Sequence, residues 1–160
     1  MTVQQQADTV AEEQELLAEE FELFDDWRDR IEYVIDLGRR LPPLSEEHRT
    51  DANKVHGCQS QVWMVAELDE AAGRVRFHAD SDAFIVKGLI ALLMRLYADR
   101  PPREILDNPP TVFDRIGLGR HLSPNRANGL YSMVSRMREL AAAFVEGRPA
   151  RPQKVLSAGA

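Results

Sequence analysis

The sequence predicts an α+β domain in which a small antiparallel sheet packs against helices. Three observations carry this. Apolar residues recur at helical spacing before residue 41, two alternating segments flank a turn between residues 61 and 80, and helical spacing returns between residues 83 and 146. Residues 1–9 lack apolar periodicity and are predicted as a flexible tail, residues 10–147 as one domain, and residues 148–160 as a second flexible tail.

In chain order, Leu17, Phe21 and Phe24 mark a first helix from about Val10. Asp25 and Asp26 read as a break and an N-cap, since a carboxylate is favoured at a helix N-terminus. A second helix follows from Trp27 to about Gly38, with Trp27, Ile31, Val34 and Ile35 on one face. Pro42-Pro43 forbid its continuation, and residues 41–53 form a polar connection with one short turn at Ser45–His48. In the next segment Val62, Met64, Ala66 and Leu68 point one way and Gln61, Trp63, Val65 and Glu67 the other. Trp63 should be buried in that register. Ala71-Ala72-Gly73 is a hairpin connection, and Val75, Phe77 and Ala79 then alternate with Arg74, Arg76 and His78. At least one further strand is expected beside this pair.

Ser81-Asp82 reads as the cap of a helix over Ala83–Ala98, whose wide apolar face includes Ile85, Leu89, Leu92, Leu93 and Leu96. Gly88 within it lets another element approach closely. Pro101-Pro102 stops that helix, and one or two short helices follow, broken by Pro109-Pro110. Ser123-Pro124 combines an N-cap with proline at the first helical position. The last helix runs to about Glu146, and Gly147 and Pro149 end it.

Composition narrows the function classes. The 160 residues are 44% apolar and 29% charged, as in an ordinary soluble globular protein. No apolar run approaches the about 18 residues of a membrane span, and the first ten residues lack the pattern of a secretory signal. Net charge is −6 and uneven: residues 1–50 carry 14 acids and 5 bases, whereas residues 111–160 carry 3 acids and 8 bases. The basic residues are too sparse, and too poor in interleaved aromatics, for a nucleic-acid surface. One cysteine excludes an intramolecular disulfide and fits a reducing compartment, so a cytoplasmic location is expected.

That cysteine is the most informative residue. Cys58 lies in the run Lys54-Val55-His56-Gly57-Cys58-Gln59-Ser60-Gln61-Val62-Trp63. Gly57 permits a sharp turn or positive φ, and Gln59, Ser60 and Gln61 place hydrogen-bonding groups beside the sulfur where a core thiol would have hydrocarbon. Several chemistries compete for these residues. A zinc or iron–sulfur site needs three or four ligands, and His56 is the one histidine near Cys58; His48, His78 and His121 form no tight pair. A Cys–His hydrolase would need a base better separated than His56. No nucleophile elbow, P-loop or dinucleotide fingerprint is present. Thiol exchange and persulfide transfer need only one good sulfur, attacking a sulfur activated elsewhere. Lys54, His56 and Arg126 are the cations that could favour its thiolate. With no second cysteine to resolve it, a persulfide on Cys58 would persist, which favours a carrier. A non-catalytic interaction module, with Cys58 incidental, remains the bland alternative.

The run Gly57-Cys58-Gln59-Ser60-Gln61-Val62-Trp63 resembles the signature of the SufE family of sulfur-acceptor proteins. The likeness extends from about Leu16 to Ala143. It takes in Ile35-Asp36-Leu37-Gly38-Arg39-Arg40-Leu41-Pro42, Asp80-Ser81-Asp82-Ala83, Ile85-Val86-Lys87-Gly88-Leu89-Ile90-Ala91 and Leu122-Ser123-Pro124-Asn125-Arg126 through Gly129-Leu130. The resemblance implies a fold related to IscU-type scaffold proteins. It also implies a SufS-like cysteine desulfurase as partner, with pyridoxal phosphate on that partner and no cofactor or metal on this chain. Sulfur would pass to Cys58, the desulfurase would be stimulated, and the sulfur would go on to a SufB-like iron–sulfur scaffold complex. Gly57 and Gln59–Gln61 would shape the loop, with His56, Asp82 and Arg126 docking the partner or supporting the loop. For Asp82 the alternative is a helix N-cap, and for Arg126 a surface ion pair. The alternative function is a small iron–sulfur or zinc-binding scaffold, although that family's scaffold relatives use several cysteines and this chain has one.

Overall fold

The computed structural model describes residues 6–148. Among these residues, six α-helices and a two-stranded sheet follow one another as α1 (Val10–Glu22), α2 (Trp27–Arg39), β1 (Val62–Asp69), β2 (Arg74–Ser81), α3 (Phe84–Tyr97), α4 (Pro102–Asp107), α5 (Thr111–Arg115) and α6 (Pro124–Glu146). Short 3-10 turns at Glu46–His48 and Asp51–Asn53 occupy the polar connection, and a third covers Leu118–His121.

The helix ends follow local chemistry. The Asp26 carboxylate accepts the backbone N–H of Asp29 at 2.9 Å, capping α2 as the acidic pair predicted. The Ser123 hydroxyl accepts the N–H of Arg126 at 3.2 Å, with Pro124 opening α6. Gly147, at φ +67°, closes that helix in the left-handed conformation.

Two glycines fix how α2 meets α3. A Cβ on Gly38 would lie 2.5 Å from the backbone nitrogen of Gly88, and a Cβ on Gly88 would collide with the carbonyl of Val34. The two backbones therefore touch, which sets α3 against the sheet and one apolar core. Val34, Leu89, Leu93 and Leu96 from these helices meet Met64, Val75 and Phe77 from the strands there.

β1 and β2 pair antiparallel from Val62 opposite Ser81 to Asp69 opposite Arg74. Val75, Phe77 and Ala79 are buried while Arg74, Arg76 and His78 face outward, as the alternation requires. Trp63 is 9% exposed, with the Arg49 guanidinium 5.0 Å above its ring. The expected further strand is absent among the described residues. Each sheet edge meets a neighbouring segment in one isolated bridge, Val75 with Arg100 and Lys54 with Trp63. Neither bridge extends, because Pro101-Pro102 follow Arg100 without ladder donors and a 3-10 turn precedes Lys54.

Asp80 ties the polar connection to this scaffold. Its buried carboxylate accepts from Arg49 at 2.6 Å, from the Ser81 N–H at 2.8 Å and from the Leu44 N–H at 3.4 Å. Lys87 of α3 lies 3.4 Å away. The segment entering the cysteine loop is thereby anchored to β2 and α3.

Within the predicted N-terminal tail, residues 6–9 are held by specific contacts. The Gln6 amide donates to the carbonyls of Arg95 and Ala98, at 2.8 and 2.9 Å, and Arg100 donates to the Ala7 carbonyl at 2.6 Å. The Thr9 hydroxyl then caps α1. Polar contacts to the backbone anchor these residues, so apolar periodicity gives no sign of it. Residues 1–5, and the predicted C-terminal tail beyond Arg148, lie outside the described residues.

Candidate functional site: the Cys58 loop

The loop hangs on a backbone stem. The Val55 N–H donates to the Val62 carbonyl at 2.8 Å, next to the Lys54–Trp63 bridge, and residues 56–61 close the loop between them. At its tip Gly57 has φ +94°, and a Cβ there would collide with the Ser132 hydroxyl. Both constraints demand glycine at this position.

Cys58 is half-buried beneath the tip. Its thiol donates to the carbonyl of Gly129 in α6 at 3.5 Å. A Cβ on Gly129 would stand 3.4 Å from the sulfur, so α6 approaches the thiol with its least bulky residue. Beside the sulfur is a cavity of about 290 Å³, lined by Val86, Leu89 and Met133 and bordered by Ser123, Asn125 and Arg126. Burial pushes the Cys58 thiol up to about 11. Lys54, His56 and Arg126 do not offset that effect, which corrects the expectation that these cations favour the thiolate in the resting loop. In this pose the sulfur is half-buried, and burial favours its protonated form.

Each predicted neighbour has a definite place. Gln59 is exposed and its side-chain oxygen accepts from the Asn125 amide at 3.1 Å. Ser60 borders the cavity. Gln61 ends the loop, its N–H donating to the Asp82 carboxylate at 3.0 Å while the Asp82 N–H donates to the Gln61 carbonyl at 3.4 Å. His56 is half-buried in the groove on the loop's outer side.

Asp82 is not the cap of α3. The N-cap position is Ala83, without a side-chain cap, and the Ser81 hydroxyl accepts the Ala83 N–H instead, at 3.2 Å. The Asp82 carboxylate turns to Gln61 because β2 runs directly into the helix and leaves it facing the loop. Arg126 is exposed at the cavity mouth, and no carboxylate pairs with it among the described residues.

Sequence reasoning missed Asn125, Gly129, Ser132 and Met133 as parts of this site and placed Leu89 simply in an apolar helix face. The signal was available: Asn125, Gly129 and Met133 recur every fourth residue and share one face of α6. No group of three His, Cys, Asp or Glu side chains converges as a metal ion would require among the described residues. No described helix is long and apolar enough to cross a membrane.

Comparison with known proteins gives a consistent picture. The sequence model of the family described as "SufE: Fe-S metabolism associated domain" matches residues 15–141. An uncharacterized SufE-like protein of Rhizobium etli is 47% identical over 126 residues, covering 77% of this chain and 85% of the relative. An uncharacterized SufE-like protein of Rhizobium meliloti is 42% identical over 135 residues, covering 82% and 94%. The solution structure of a hypothetical protein from Thermus thermophilus superposes with a TM-score of 0.70 at 21% identity, over 84% of this chain and 96% of that one, a likeness of fold.

Proposed function

This chain belongs to the SufE family, associated with iron–sulfur metabolism, and from that premise we propose that it is a sulfur acceptor working with a SufS-like cysteine desulfurase. It takes persulfide sulfur onto Cys58, stimulates the desulfurase, and hands the sulfur to a SufB-like assembly scaffold in the cytoplasm. It is a carrier and activator; pyridoxal phosphate belongs to the desulfurase.

One observation supports this reading above others: the chain's single thiol sits just beneath the tip of a short loop, beside a cavity, and the backbone bonds of the loop's stem do not involve it. In the transfer, the Cys58 thiolate attacks the terminal sulfur of the donor's persulfide. The donor's S–S bond breaks as the new one forms, and the donor cysteine leaves as a thiolate that takes up the proton Cys58 gave away. Sulfane sulfur changes owner with no net oxidation. A thiol held near a pKa of 11 is a poor nucleophile at neutral pH, so the attack belongs to an extended loop in the partner's site. Back in the cavity, apolar Val86, Leu89 and Met133 would keep water and reductants from the loaded sulfur.

The test is desulfurase turnover with and without this protein. Wild type should accelerate it and Cys58→Ser should not, while folding normally. Full stimulation by Cys58→Ser would overturn the mechanism.

A further inference from the structure

The attachments of the cysteine loop fall into two groups. At its base are the Val55–Val62 hydrogen bond, the Lys54–Trp63 bridge and the Gln61–Asp82 pair. None of these holds the sulfur itself. At the tip, Cys58 and Gln59 both attach to the start of α6. The thiol donates to Gly129 at 3.5 Å, a weak bond because S–H is a poor donor. The stronger tie is the Asn125 amide donating to the Gln59 side chain at 3.1 Å. Asn125 and Gly129 lie one turn apart on α6, so one helix face carries both contacts.

Asn125 and Gln59 are both exposed, so breaking their bond buries no unsatisfied group. We propose that Asn125 is a positioning residue for sulfur transfer: its amide latches Gln59 and thereby sets how often Cys58 leaves the cavity. A partner surface that engages either amide would release the thiol as it docks, coupling exposure of the sulfur to the presence of a recipient. The functional consequence rests on the reading that Cys58 leaves the cavity to receive sulfur; alkylation of the thiol needs no desulfurase, so the two fail separately.

The experiment measures the rate of Cys58 alkylation by iodoacetamide at fixed pH in the full chain, for wild type, Asn125→Ala, Gln59→Ala and the double variant. When opening precedes reaction, the rate follows the open population. Each single substitution should raise it about five-fold, the change in population that one net hydrogen bond supports. The double variant should react no faster than the faster single, because both remove the same bond. Hydrogen exchange at the α6 amides of Leu130 and Met133 should stay unchanged in Asn125→Ala, whereas general loosening of the helix would speed it up. An unchanged alkylation rate in Asn125→Ala, or effects that multiply in the double variant, would overturn the latch. Fast alkylation in Asn125→Ala with no sulfur accepted by wild type would leave the latch standing and remove the carrier reading.

Discussion

The Cys58 thiol points at the carbonyl oxygen of Gly129, 3.5 Å away, where α6 has no side chain to hold the loop off. This pose decides the chemistry of the resting protein. With the thiol pushed up to about 11, almost none of it is thiolate at neutral pH. The alkylation rate of native protein should therefore still be climbing at pH 10, whereas in urea it should level off above the ordinary thiol value of about 8.5. A native plateau below pH 9 would contradict the buried pose.

The same shift carries a stability sign. The folded state holds the Cys58 proton more tightly than the unfolded state. Its contribution is therefore fully present below the ordinary thiol value and is lost as pH rises toward about 11. Urea midpoints of wild type and Cys58→Ser should keep a constant offset below about pH 8.5. Above that, the offset should shift against wild type, and curves that stay parallel up to pH 10.5 would count against the buried thiol.

Gly57→Ala should lower stability by about 1–2 kcal/mol, because alanine resists the left-handed region and its Cβ meets Ser132. The loop should lift in response, with faster alkylation of Cys58. Shortening the obstruction with Ser132→Gly should recover only part of the loss, since the backbone strain remains. Urea denaturation reads both variants, and wild-type stability in Gly57→Ala would show that the loop rests in another conformation.

Gly88→Ala should cost about 2 kcal/mol through overpacking at the α2–α3 crossing, because the new methyl meets backbone that cannot rotate away. Gly38→Ala strains the same crossing, so the double variant should lose less than the sum. Equilibrium denaturation of the three variants checks this, and additive losses would mean that the helices do not touch there.

Asp80→Ala should destabilise the fold by about 3 kcal/mol, the scale for stripping one partner from a buried ionic cluster. Arg49, Lys87 and the Leu44 N–H would all lose their common acceptor. A loss below about 1 kcal/mol would place the cluster with weak surface pairs.

How far the sequence reached can be read from particular residues. Asp26, Ser123, Pro124 and Gly147 act locally, so cap chemistry placed both ends of α6 and the start of α2 correctly. The hairpin was legible because Val75, Phe77 and Ala79 alternate cleanly with charged residues. Of the two readings of Asp82, the helix cap fails, because strand end and helix start offer a carboxylate two targets and the one it takes, the Gln61 N–H of the loop, lies 21 positions away. Cys58 was singled out by its flanking residues, but its pose was not legible there. The burial that raises its pKa comes from α3 and α6, which sequence spacing cannot bring to the loop.

The central claim is tested most directly by the mass of the tryptic peptide containing Cys58, after incubation with an active cysteine desulfurase, pyridoxal phosphate and cysteine. The account predicts an added sulfur atom on that peptide, removed by a thiol reductant and absent in Cys58→Ser. An unmodified Cys58 peptide, with the desulfurase demonstrably turning over in the same tube, would contradict it.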